Sequence, residues 1–266
     1  MKFYIFLFFF IFQISNVFAI DTKAEQAIVI DSSTNEIIFE KNSEVRISPA
    51  SMTKIMTIYI VFDRLTNTNL SLDDKCRISP KAYRMKGSRT FLEIDTNVSI
   101  HDLVKGIIIQ SGNDASVAIA ECLSGTEEDF AKLMNVYSKD LQLKNSNFTN
   151  SSGWPEDNHY STVKDIAILS NHLINHFPDL YILFKEKEFT YNNIKQPNRN
   201  KLLESVFGVD GLKTGYVKKS GFGISASAIR EDRRITVVIN GTNSSRSRLN
   251  ESATLINWAY DQTIRK

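Results

Sequence analysis

Three short polar motifs stand in order along this chain: Ser51-Met52-Thr53-Lys54, Ser111-Gly112-Asn113 and Lys213-Thr214-Gly215. Each alone is common by chance, but the ordered triple is specific, and it calls for a fold that gathers all three around one cleft. A serine hydroxyl is a poor nucleophile at neutral pH. At a helical spacing of three, the Lys54 amine falls on the same face as the Ser51 oxygen and can act as its base. For that, burial, a second cation or the positive end of a helix must lower the pKa of Lys54, and Lys213 is a candidate for the second cation. Gly215 has no side chain and leaves room for a substrate along a strand edge. Ser111 offers a proton relay, and Asn113 an amide to hold a substrate backbone.

The rest of the chain predicts where these motifs sit. Apolar and polar residues alternate over 25–41 around Asp31-Ser32-Ser33-Thr34-Asn35, a hairpin signal. Ile55, Ile58, Tyr59, Phe62 and Leu65 then recur at helical spacing, so Ser51 opens a buried helix with its own N–H free in the first turn. Residues 101–109 and 114–123 read as helices on either side of Ser111-Gly112-Asn113, and 126–141 and 162–176 as two more. Near the end, Gly208–Lys213, Gly223–Ile229 and Arg234–Asn240 read as antiparallel strands, and Ser244–Tyr260 as a closing helix. Strands at both ends with helices between imply an α+β fold: one antiparallel sheet sandwiched by helices, a mostly helical inserted lobe, and the site in the cleft between.

On these motifs the chain resembles the penicillin-recognising serine acyltransferases, and most closely their low-molecular-mass D-alanyl-D-alanine carboxypeptidases. Pro49-Ala50-Ser51-Met52-Thr53-Lys54, Ser111-Gly112-Asn113-Asp114-Ala115, His159-Tyr160-Ser161-Thr162 and Gly208-Val209-Asp210-Gly211-Leu212-Lys213-Thr214-Gly215 all carry the likeness, which runs from about residue 24 onward. Glycine in the middle of the second motif is similar to the carboxypeptidases rather than to the class A β-lactamases. The resemblance implies a β-lactamase/DD-transpeptidase-like fold and a serine enzyme that trims the terminal D-alanine from peptidoglycan stem peptides, without a cofactor and with β-lactams as covalent inhibitors. It implies Ser51 as nucleophile, Lys54 as base and Ser111 as the group that hands a proton to the departing amine. Asn113, Lys213, Thr214, Gly215, Tyr216 and Arg248 become the substrate-binding set. Arg248 stands ten residues before Trp258 in the closing helix, with Arg246 as its competitor for the substrate carboxylate. The backbone N–H groups of Ser51 and Tyr216 are the implied oxyanion donors. Many carboxypeptidases have His where Tyr216 stands, a departure that touches rate and specificity more than mechanism.

Other features narrow the field. Met1–Ala19 has one early cation, the apolar run Phe3–Phe12 and a Val17-Phe18-Ala19 end, which reads as a cleavable signal. The run is shorter than the roughly 20 residues that span a bilayer. Residues 20–266 are then expected to form one periplasmic or secreted catalytic domain, with no second C-terminal β domain and no stable membrane anchor. A net charge of +2 provides no field for nucleic acid. The basic residues Lys218, Lys219, Arg230, Arg233 and Arg234 read as a solvated surface. Cys76 and Cys122 could pair in an oxidising compartment, but nothing in the sequence places them together. His172 and His176 lie four apart without an acidic third ligand, so no metal is expected. Glu188 and Asn192 match the E-x-x-x-N spacing of a class A β-lactamase, yet in a strand-like segment far beyond Asn113. A DD-endopeptidase would use the same residues, while a non-catalytic wall-binding module is disfavoured by the intact motifs.

Overall fold

The computed structural model describes residues 20–262; the expected signal segment, residues 1–19, lies outside the described residues. β1 (Gln26–Asp31) and β2 (Glu36–Lys41) form the expected hairpin. A 3-10 turn, Ala50–Thr53, leads into α1 (Lys54–Asn67). Then come β3 (Lys75–Arg77), the short α2 (Pro80–Tyr83), β4 (Asn97–Ser99) and α3 (Ile100–Lys105). A wide π-type turn, Gly106–Gln110, separates α3 from α4 (Asn113–Ser124), followed by α5 (Glu127–Asp140) and α6 (Val163–His176). α7 (Pro178–Tyr181), the hairpin β5 (Glu188–Tyr191) and β6 (Ile194–Pro197), and α8 (Leu202–Ser205) lead to β7 (Val209–Val217), β8 (Gly221–Arg230), β9 (Arg233–Thr242) and α9 (Ser245–Asp261).

The main sheet is antiparallel and five-stranded, in the order β2-β1-β9-β8-β7. Its inner strands are covered on both faces, so their apolar residues split by parity. Ile28, Ile30 and Val238 join the core built on α1, α3, α4 and α6, whereas Ala27, Val29, Val237 and Ile239 pack against Leu255, Ile256 and Ala259 of α9. The α+β fold predicted from the layout is therefore the observed one. β7 is an edge strand and runs further than the expected 208–213, carrying Lys213-Thr214-Gly215 within it. The polar Lys and Thr interrupt the alternation, which is why the pattern stops short.

Two expectations change. The helix expected over 101–109 opens into the π-type turn because Gly106 packs against Thr90: a Cβ on Gly106 would stand 2.3 Å from the Thr90 Oγ1. The basic residues read as solvated are partly structural. Arg234 grips Asp210 of β7 through two nitrogens at 2.8 and 2.9 Å, and Arg233 pairs with Asp31 at 2.7 Å.

Cys76 of β3 and Cys122 of α4 are joined in a disulfide, which settles the pairing the sequence leaves open and ties the small β3–β4 sheet to the helical lobe. The bridge closes a 46-residue separation, for which chain entropy gives about 4 kcal/mol. Reduction is expected to lower the melting temperature by roughly 10 °C; equal thermal melts with and without reductant would show that the bridge contributes nothing.

Candidate active site

The site starts from one buried cation. The 3-10 turn puts Ser51 on the wall of a cleft of about 890 Å³. Lys54, one turn on, lies beneath it with 0% of its surface exposed. Its Nζ donates to the Ser51 Oγ at 3.0 Å, the Asn113 Oδ1 at 2.8 Å and the Ser152 carbonyl at 2.6 Å. An ammonium has three N–H donors, and here all three are used. With its proton gone, Nζ can keep two donors for Asn113 and Ser152 and turn its lone pair to the serine hydroxyl. Burial pushes Lys54 down to about 7, against the opposing pull of Asp114 and Glu127. At neutral pH both forms are populated, as a general base requires.

Desolvation is the largest effect bringing Lys54 toward neutrality. Lys213 is itself pushed well below the usual lysine range by burial first, then by Lys54, Arg248 and Arg199.

Asn113 bridges Lys54 and the Lys86 carbonyl, to which its Nδ2 donates at 2.7 Å, and one amide N–H remains for a ligand. Ser111 takes a left-handed backbone (φ 67°), and its Oγ is buried with no hydrogen-bond partner among the described residues. Such an orphan hydroxyl on a cleft wall is suited to a ligand. At Gly215 a Cβ would point at the Pro49 carbonyl, 2.9 Å away, and crowd Ala50 and Met52. The glycine lets β7 lie directly on the turn that carries Ser51. Gly153 (φ 78°) does the same for its own loop, where a Cβ would meet the Ala50 carbonyl at 1.9 Å.

The far end of the cleft gathers positive charge. Thr214, Arg199 and Arg248 line it, with Lys213 buried alongside. Lys213 donates to the Thr214 carbonyl at 3.3 Å, Arg248 to the Gly215 carbonyl at 3.4 Å, and Arg199 to the Gln110 Oε1 at 3.1 Å. Burial and Arg199 push Arg248 down to about 10, which still leaves it a cation. The three groups have no carboxylate within ion-pair distance among the described residues, so an arriving carboxylate would supply the missing charge. Tyr216, half exposed, stacks on Phe222 at 4.1 Å and borders the cleft.

The profile of the D-alanyl-D-alanine carboxypeptidase family matches residues 13–243. The chain belongs to that family. It is 40% identical over 240 residues to the D-alanyl-D-alanine carboxypeptidase DacC of Escherichia coli, covering 88% of this chain and 60% of that protein. The solved penicillin binding protein 5 of Haemophilus influenzae superposes with a TM-score of 0.89 at 37% identity, covering 92% of this chain and 73% of that one. Penicillin-binding protein D2 of Listeria monocytogenes, solved in its ampicillin-bound form, gives a TM-score of 0.82 at 27% identity, with 90% and 98% covered. The chain spans about 60% of the length of the curated relatives it matches first.

For this carboxypeptidase-family chain, the cleft gathers Ser51, Ser111, Asn113, Thr214, Gly215, Tyr216 and Arg248, with Lys54 and Lys213 beneath. Arg246 is exposed and does not border it. Glu188 is ion-paired to Lys195 across the β5–β6 hairpin and is not among the residues that line the cleft. The rings of His172 and His176 lie 5.0 Å apart, tilted by 53°, and His176 bonds Tyr59. No cluster of three or more His, Cys, Asp or Glu able to hold a metal occurs among the described residues.

Several residues at the site were not picked out from sequence. Asp114, fully buried, accepts the backbone N–H groups of Thr90, Phe91 and Leu92 and holds that loop against the cleft. Glu127 accepts Ser151 N–H and Oγ–H, positioning the loop that presents the Ser152 carbonyl. His159 accepts the Thr149 N–H on Nδ1, so its Nε2–H donates to the Thr53 Oγ1 at 2.8 Å; burial pushes it down to about 4 and keeps it neutral. Asp114 stands next to a recognised motif, and Arg199 lies in a stretch that resembles the family. Nothing local marks Glu127, whose partner is 24 residues away.

If Lys54 is the base, the acylation rate at saturating penicillin should climb as pH rises through about 7, because only the neutral amine accepts the serine proton. A flat rate between about pH 6 and 8 would remove Lys54 from that role.

Proposed function

We propose that this chain is a serine D-Ala-D-Ala carboxypeptidase that removes the terminal D-alanine of peptidoglycan stem peptides through an acyl-enzyme on Ser51. The observation that carries the reading is the 3.0 Å contact between the buried Lys54 amine and the Ser51 hydroxyl, beside a cleft end lined by cations with no carboxylate partner among the described residues. The stem peptide adds to the free edge of β7 as a further strand. Its terminal carboxylate meets Lys213, Thr214 and Arg248, which sets the penultimate carbonyl at Ser51. Lys54 takes the Ser51 proton, Oγ attacks the carbonyl, and the N–H groups of Ser51 and Tyr216 stabilise the oxyanion. Ser111 passes a proton to the departing D-alanine amine, and water then frees the acyl group. β-Lactams, which offer a strained amide and a carboxylate, would acylate the same serine.

On this reading the enzyme works outside the cytoplasm, in the periplasm or the medium, after removal of residues 1–19. The Cys76–Cys122 bridge supports an oxidising compartment. Among the described residues no helix is long and apolar enough to cross a membrane.

The test is incubation of the purified protein with a pentapeptide muropeptide, read by mass spectrometry. The expected product has lost one alanine, and Ser51→Ala should lower that rate by about four orders of magnitude while abolishing penicillin labelling. Cleavage of a cross-linked dimer with the pentapeptide left intact would move the activity to an endopeptidase.

A further inference from the structure

Beyond Trp154 the cleft opens into a second cavity of about 510 Å³, and Ser152 and Trp154 line both spaces. The opposite end, with Arg199, Thr214 and Arg248, borders a different cavity, so the cleft has two distinct exits. This inference rests on the carboxypeptidase reading: with the terminal carboxylate at the Arg248 end, the part of the stem that precedes the scissile bond leaves past Trp154. The third stem residue adjoins the acylated one. Its Cα is about 3.8 Å from that neighbour, and a side chain of three methylenes reaches about 5 Å further, so its head group can stand roughly 9 Å from the acylated residue, on the Trp154 side.

The charges there are distinctive. Lys81 is committed, with Nζ 3.0 Å from the Glu127 Oε2 and 2.8 Å from the Glu128 Oε1. Arg84 and Lys86, both exposed on the rim, have no carboxylate within ion-pair distance among the described residues. Across from them Glu156 takes only the Asn150 amide, at 3.0 Å on Oε1, and has no cationic partner. Two free cations and one free carboxylate around a single cavity complement a group that carries a carboxylate and an ammonium together.

We propose that this cavity is a subsite for the amino-acid head of a diamino dicarboxylic acid, such as diaminopimelate, at the third stem position. Lysine at that position ends in an ammonium alone. It leaves Arg84 and Lys86 without a counter-charge and so binds less well.

The experiment compares kcat/KM for loss of D-alanine from three pentapeptides that differ only in the third residue: diaminopimelate, diaminopimelate with its side-chain carboxylate amidated, and lysine. The diaminopimelate peptide should be favoured about tenfold over both others, mainly through KM, since one charge-assisted contact is at stake. In Arg84→Gln/Lys86→Gln the ratio should fall to about one, and Arg84→Lys should keep it. Equal kcat/KM for the three peptides in the unaltered protein overturns the subsite, as does a preference that survives the double substitution. If none of the peptides loses alanine while penicillin still labels Ser51, the carboxypeptidase reading itself fails and the subsite with it.

Discussion

A lysine with no surface in water must have its charge satisfied by the protein, and much of the site's architecture follows from that demand on Lys54. Its three acceptors come from three separate segments: its own turn, the start of α4 and the loop carrying Ser152. Each segment is then held in turn. Asn113 reaches back to Lys86, Asp114 pins residues 90–92, and Asn150 accepts the N–H groups of Gly153 and Trp154. Removing one partner of a buried charge costs several kcal/mol, so these loops are fixed by the same interaction that arms the serine.

The two buried lysines are set apart by their company. Lys54 has carboxylates within range, Asp114 and Glu127, which oppose the effect of burial and leave it near neutrality. The charges acting on Lys213, those of Lys54, Arg248 and Arg199, add to the effect of burial and hold it well below the usual lysine range. One lysine is thus poised to exchange a proton at working pH, while the other sits in a positive field whose natural complement is an anion. A bound carboxylate would favour the charged form of Lys213, and that charge would in turn press Lys54 toward its neutral form. Substrate binding and base activation would then be linked through the charge interaction between the two amines.

Much of this was legible in the sequence, for a physical reason. Residues that act by their own chemistry, Ser51, Lys54, Ser111, Asn113 and Lys213, must be of particular types at particular spacings, and the helix and strand periods around them showed. The hairpin at β1–β2, the helices α5, α6 and α9 and the strands β8 and β9 were visible because one or both faces are apolar at a regular period. What escaped depends on partners distant in sequence. Glu127 matters because Ser151 folds onto it, the disulfide exists because β3 lies on α4, and the role of Gly215 comes from Pro49, 166 residues earlier. The π-type turn escaped as well, since Thr90, which wedges against Gly106, belongs to no periodic pattern.

That dependence on distant partners explains why the catalytic turn cannot be separated from the fold that holds it. Gly153 and Gly215 let a loop from the helical lobe and a strand from the sheet both come up against Pro49–Thr53 with no side chain between. The turn is therefore clamped where the two halves of the molecule meet. α1 behind it is buried through Phe62, so the turn has a rigid base as well as rigid flanks. Ser51 needs such a mount, because its Oγ must stay within hydrogen-bond reach of a Lys54 that has nowhere else to go, and a displacement of about 1 Å at a reacting atom can cost about 100-fold in rate. The contacts that close the cleft are also the contacts that pack the core, and a substitution that loosens either should be felt in both.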